Sequence, residues 1–194
     1  MIVITSPIPV ANEISIIHSL FPEGLKLLHV RKPDFSEAEM RSFLSEIGLE
    51  FRARLVLHSH HHLAEDYGTN RLHFPKSNRN HAMHFSDPKW TKSTSVHTID
   101  SFNKLNDIFN YAFLSPVYPS ISKQGYHANI NLLESQKQRT NFKTKLVALG
   151  GLSSENIKKT LENGFEEVAL LGSIWSNSNP LKNFRICQQH AHSF

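Results

Sequence analysis

The sequence predicts an α/β protein of eight strand–helix units, and two observations carry that expectation. Short apolar runs recur eight times along the 194 residues, and most are continuous rather than alternating, as expected of parallel strands covered on the outside by helices. Between them lie segments whose apolar residues fall at helical spacing.

In order, the runs are IVIT at 2–5, LKLLHV at 25–30, RLVLH at 54–58, RLHF at 71–74, TSVH at 94–97, YAFL at 111–114, KLVALG at 145–150 and EVALL at 167–171. The first helix is expected over Val10 to Leu20, with Ile14, Ile17 and Leu20 on one face. The second runs from Ser36 to Leu49, with Met40, Phe43, Leu44 and Ile47 inward. Ser36 ahead of Glu37 and Glu39 supplies its N-terminal signal. Late helices are expected from Ser153, where Ser153-Ser154-Glu155 opens the turn, to Asn163-Gly164, and from Pro180 to His190. The polar stretch 75–93 holds two prolines, so the fourth helix is expected to be short or missing. Regular alternation of eight units fits a closed barrel or a doubly wound open sheet, and periodicity does not separate them. No linker divides the chain, so residues 1–194 are expected to form one domain.

Apolar content of 39% with 20% charged residues lies in the globular range. No apolar run approaches the ~20 residues that cross a bilayer, and the start MIVITSP reads as a strand rather than a secretory leader. The lone Cys187 excludes an internal disulfide and suits a reducing, cytoplasmic setting; packing in the last helix is its expected role. A net charge of +4 favours an anionic partner. Lys and Arg are scattered, without the basic stripe of a nucleic-acid surface, so a small anion is expected. A homodimer built on an exposed Trp90 or a Phe-rich helix stays open.

In a barrel, the residues closing each strand at its C-terminal end form the active-site rim. His29, His58, His73 and His97 fall at or beside the ends of runs two to five, with His60, His61 and His62 just beyond the third. Such imidazoles could bind a metal, or hold a phosphate when protonated, although their spacing matches no zinc pattern; ordinary core or loop histidines are the competing account. VALGGL at 147–152 and ALLGSIW at 169–175 place glycines where strands seven and eight would end. Backbone amides there could approach an anion closely, or Gly150-Gly151 could simply make a turn. A third segment, LSPVYPSISKQG at 114–125, sets hydroxyls and Lys123 on a proline-stiffened loop that is either functional or a solvated surface turn.

These motifs, in this order, resemble the thiamine phosphate synthase (thiamine-phosphate pyrophosphorylase)/TenI family. The family's G-P-V-F-P-T-x-T-K is similar to Ser115-Pro116-Val117-Tyr118-Pro119-Ser120-Ile121-Ser122-Lys123. Its A-I-G-G-I is met by Ala148-Leu149-Gly150-Gly151-Leu152, its S-V-H by Ser95-Val96-His97 and its G-V-H-L by Arg71-Leu72-His73-Phe74. The resemblance implies a (β/α)8 TIM barrel, short for a fold that typically takes roughly 250 residues. It also implies a transferase of thiamine biosynthesis that joins hydroxymethylpyrimidine diphosphate to thiazole phosphate, giving thiamine phosphate and releasing pyrophosphate with Mg²⁺.

By the same resemblance, Ser120, Ser122, Gly150, Gly151, Leu171 and Gly172 hold the thiazole phosphate, Ser95 and Lys123 face the pyrimidine diphosphate, and Arg31 supplies positive charge. The family's Q-x-R-x-K becomes His29-Val30-Arg31-Lys32-Pro33 and its N-D becomes His58-Ser59, which places His29 and His58 among the substrate-binding positions. Ser59 and Asn78 stand at the two Mg²⁺ ligand positions, where the family has carboxylates; neutral oxygens supply no charge to the ion, so firm Mg²⁺ binding is not expected. TenI relatives instead catalyse a proton shift on the thiazole phosphate carboxylate with a His where Pro116 stands, leaving His97 or His127 as the general acid/base of a Mg²⁺-independent tautomerase. A binding protein without catalysis is the third alternative.

Overall fold

The computed structural model describes residues 1–119 and 132–192. Its eight strands are β1 (Ile2–Ile4), β2 (Leu27–Val30), β3 (Leu55–Leu57), β4 (Arg71–Phe74), β5 (Thr91–Val96), β6 (Tyr111–Leu114), β7 (Lys145–Leu149) and β8 (Glu167–Leu170). All are parallel, each pairs with the next, and β1 returns to β8, so the sheet is a closed barrel. Closure decides what periodicity left open.

Two apolar layers follow from the two faces of each strand. Outward residues such as Val3, Leu28, Leu57, Leu72, Ala112 and Leu146 pack under the helices. Inward residues Ile2, Ile4, Tyr111, Phe113, Val147 and Ala169 fill the barrel. The helices are α1 (Glu13–Leu20), α2 (Glu37–Glu46), α3 (Ile99–Asn103), α4 (Leu132–Ser135), α5 (Ile157–Glu162), α6 (Gly172–Trp175) and α7 (Pro180–His192). Ser36 and Glu39 form a reciprocal capping box on α2: Ser36 Oγ accepts from the Glu39 amide, and the Glu39 carboxylate accepts from the Ser36 amide at 2.8 Å. In α7, Phe184 and Cys187 are the buried face, and burial pushes the Cys187 thiol up to about 11, which fits a packing role.

Differences from expectation sit in the connections. A 3₁₀ turn (His61–Leu63) stands in place of a helix after β3, whereas the one after β4 (Lys76–His84) agrees with the short or missing fourth helix expected there. Asn78 breaks the second with φ −125°. α1 starts at Glu13, three residues after the expected Val10. α5 starts at Ile157, because the Asn156 side chain accepts from the Ser153 amide and donates to the Gly151 carbonyl, holding 153–156 as a turn. Trp90 is half-buried and packs edge-on against Phe85 at 5.2 Å rather than standing fully exposed. Among the described residues no helix is long and apolar enough to cross a membrane.

Candidate functional site

Because side chains alternate along a strand, the inward set of each strand ends at the barrel mouth. On β2 this set includes His29, on β4 His73, on β5 Ser93 and Ser95, and on β6 Tyr111 and Phe113; His58 follows β3 directly. His29 Nδ1 lies 2.9 Å from His58 Nε2, and His29 Nε2 lies 2.7 Å from the Tyr111 hydroxyl. His73 bridges two serines, Nδ1 to Ser93 Oγ at 2.9 Å and Nε2 to Ser95 Oγ at 3.0 Å. The rings of His58 and His73 stack at 4.1 Å, and His29 meets His73 edge-on at 5.7 Å.

Burial holds these three imidazoles neutral. Desolvation, then the other histidines and Arg31, keeps His58 well below the ordinary imidazole range; desolvation and His73 do the same to His29. His73 is pushed down to about 3 by burial first and by His61, Arg31 and Arg79 after it. The expectation that protonated histidines here hold a phosphate is therefore corrected, since the enclosed barrel disfavours their charged form. His29 is fully buried below the mouth, so of the candidate substrate contacts on β2 and β3 only half-buried His58 reaches the opening.

Positive charge at the rim comes from guanidinium groups. Arg31 is exposed, with its backbone amide donating to Thr5 Oγ1 at 2.8 Å. Arg79, which sequence reasoning passed over inside a polar segment, donates to Thr94 Oγ1 at 3.0 Å and to the Ser95 carbonyl at 2.7 Å. Lys32 does not take the place of the missing family lysine: it is buried and its Nζ contacts Glu13 Oε2 at 2.5 Å. His97 is exposed at the rim, 2.7 Å from the Ser115 carbonyl through Nδ1. A carbonyl only accepts, so Nδ1 carries the proton and, in the neutral ring, Nε2 is the basic nitrogen.

On the opposite side, Gly150 and Gly151 adopt φ +97° and +64°. A Cβ on Gly150 would lie 2.7 Å from Pro116 Cβ, and one on Gly151 would overlap the Pro119 carbonyl and reach 2.7 Å from Tyr118 Cβ. The segment after β6 lies directly on this turn, with the Val117 and Tyr118 amides donating to the Leu149 and Gly150 carbonyls at 3.0 and 3.1 Å. Gly151→Ala is expected to lose about 1–2 kcal/mol from backbone strain alone, before any overlap, read as a lower urea midpoint. Leu171 and Gly172 are half-buried at the start of α6, and the neighbouring Ser173 hydroxyl is buried without a hydrogen-bond partner among the described residues. Ser120, Ser122, Lys123 and His127 lie outside the described residues.

The residues at the two Mg²⁺ positions do not fit that ion. Ser59 Oγ is engaged with His60 Nδ1 at 3.2 Å, and Asn78 is exposed on a kinked 3₁₀ turn. Both offer neutral oxygens, whereas Mg²⁺ dehydrates reluctantly and is usually held through carboxylates.

Known proteins resemble this arrangement along nearly its whole length. The family model described as thiamine monophosphate synthase matches residues 1–174. A thiamine-phosphate synthase of Caldicellulosiruptor saccharolyticus is 23% identical over 169 residues, covering 84% of this chain and 76% of that protein. The crystal structure of thiamine phosphate pyrophosphorylase from Bacteroides thetaiotaomicron is similar at TM-score 0.78 and 28% identity, covering 99% of this chain and 97% of that one. Thiamine phosphate pyrophosphorylase from Pyrococcus furiosus shares the fold at TM-score 0.83 and 15% identity, over 99% and 95% of the two chains.

Proposed function

Since the chain belongs to the thiamine monophosphate synthase family, we propose that it serves thiamine biosynthesis as a cytoplasmic, single-domain protein that binds thiazole phosphate and condenses it with hydroxymethylpyrimidine diphosphate. The carrying observation is the left-handed Gly150-Gly151 turn, packed under 116–119, in the family's A-I-G-G-I position. Backbone amides of this half-buried turn and of Leu171-Gly172 cradle the thiazole phosphate in this reading, helped by Ser120 and Ser122. The unpartnered Ser173 hydroxyl beside that corner supports an anion there.

At the other side of the mouth, departure of pyrophosphate leaves a pyrimidine cation, so the leaving group needs compensating positive charge. In this reading Arg31, Arg79 and Lys123 provide it, while His58 and Ser95 position the pyrimidine. With Ser59 and Asn78 in place of carboxylates, Mg²⁺ is not assigned a step. One observation favours a second reading, the proton shift of a thiazole tautomerase: His97 Nδ1 is fixed on the Ser115 carbonyl, which frees Nε2 to act as a base.

Calorimetry and product analysis test both. Thiazole phosphate is expected to bind equally well with EDTA or Mg²⁺, and Gly151→Ala is expected to weaken binding by about tenfold, equivalent to about 1.4 kcal/mol. Absence of thiazole phosphate binding would overturn the assignment. Release of pyrophosphate and thiamine phosphate from the two substrates supports condensation. EDTA-resistant turnover of the thiazole carboxylate phosphate, lost in His97→Asn, selects the tautomerase instead.

A further inference from the structure

The barrel interior carries a second constellation, which the thiazole phosphate corner does not use and which shares only His58 with the proposed pyrimidine contacts. His29, His58 and His73 each offer one ring nitrogen, and these three atoms all lie within 4.8 Å of one another. They come from three neighbouring strand ends, pointing into one small volume below the mouth. We propose that His29, His58 and His73 form a three-imidazole site for a borderline divalent transition metal of the zinc class, with its fourth position open toward the barrel mouth.

Geometry supports this first. Metal–nitrogen bonds of about 2.0–2.1 Å in a tetrahedral site set ligand nitrogens about 3.3 Å apart. His29 Nδ1 and His58 Nε2, now 2.9 Å apart, need to open slightly. The widest pair, at most 4.8 Å, closes by about 1.5 Å or less, which small side-chain rotations of three rings can share.

Ligand chemistry agrees. Imidazole suits zinc, copper, iron and nickel rather than magnesium, and ligating histidines must be neutral. Burial already keeps all three uncharged. The outer contacts are those a metal site needs: with His29 bound through Nδ1, its Nε2–H donates to the Tyr111 hydroxyl at 2.7 Å, fixing the tautomer and ring orientation. Ser93 and Ser95 flank the two nitrogens of His73, so one serine keeps its contact whichever nitrogen turns to the metal. Half-buried His58 gives the ion a path from the mouth. Three protein nitrogens with an open fourth position are the donor set of a catalytic rather than a closed structural centre.

Titration of the EDTA-treated, dialysed full chain with Co²⁺ tests this without any substrate, so its outcome is separate from thiazole phosphate binding. Visible d–d absorption of a tetrahedral ion is expected to saturate at one equivalent and to be displaced by Zn²⁺. His73→Asn is expected to weaken Co²⁺ binding by at least about 100-fold, and Tyr111→Phe by about tenfold. The double variant His60→Asn/His62→Asn, altering histidines outside the cluster, is expected to bind as the unmodified protein does. Should His73→Asn fail to fold, the unmodified protein and Tyr111→Phe still decide. No one-equivalent spectrum, unchanged binding in Tyr111→Phe, or loss of binding in His60→Asn/His62→Asn each overturns the site.

Discussion

Lowering the pH of the metal-free protein from 7 to 5 is expected to remove about 2 kcal/mol of folding stability through His73 alone, with His29 and His58 adding to the loss. The cause is the cluster of His29, His58 and His73, which the fold keeps neutral by burial. In the unfolded chain a histidine takes up a proton below about pH 6.5. The unfolded state therefore binds more protons, so stability is full above that pH and is lost as the pH falls toward the folded values, about 3 for His73. Each histidine adds a slope of about 1.4 kcal/mol per pH unit, with His58, nearer solvent, adding less than the other two. Urea titrations at pH 7, 6 and 5 measure this, and His29→Leu is expected to flatten the dependence by about a third. A dependence as shallow in the unmodified protein as in a His29→Leu/His73→Leu variant would refute the account.

That cluster also marks the limit of what a linear sequence discloses. Histidines at strand ends are visible in the runs LKLLHV, RLVLH and RLHF, but their convergence is set by strand register, with His29 opposite Val56 so that His58 stands one inward step higher. No fixed spacing encodes that, because the intervening connections vary in length without altering the register. Strands themselves were legible because burial on both faces demands continuous apolar runs. The α2 cap was legible because Ser36 and Glu39 satisfy backbone donors locally. Barrel closure was legible through the family motifs but not through periodicity, since β1 and β8 pair across the whole chain. Arg79 escaped notice because the 3₁₀ turn that carries it has no apolar stripe, only a polar stretch indistinguishable from a loop. In sequence the Gly150-Gly151 pair fits an anion cradle or a simple turn; its positive φ values fit both, and its packing against Pro116, Tyr118 and Pro119 explains why neither residue can carry a side chain.

Lys32→Met is expected to cost about 3–5 kcal/mol, although the sequence alone leaves Lys32 open as a substitute for the lysine that the family has beyond Arg31. Its side chain is 1% exposed, and its ammonium lies 2.5 Å from Glu13 Oε2 and 5.5 and 5.1 Å from the ring centres of Phe35 and Phe43. Burial raises the Glu13 carboxyl, while Lys32 first and a backbone contact with Ser6 after it hold it down. Methionine fills the aliphatic volume but strands that carboxylate in an apolar shell, so Glu13 must take up a proton to stay buried. A folded pKa raised further above the unfolded value gives stability that is present at low pH and lost as pH rises through the folded pKa. The difference between Lys32→Met and the unmodified protein, measured by urea at matched pH, is thus expected to be smallest near pH 4 and to grow toward neutrality. Adding Glu13→Leu removes the stranded charge and should recover most of the loss. A lysine that instead served substrate would show the opposite pattern: weakened ligand binding in Lys32→Met, unchanged stability, and no rescue by Glu13→Leu.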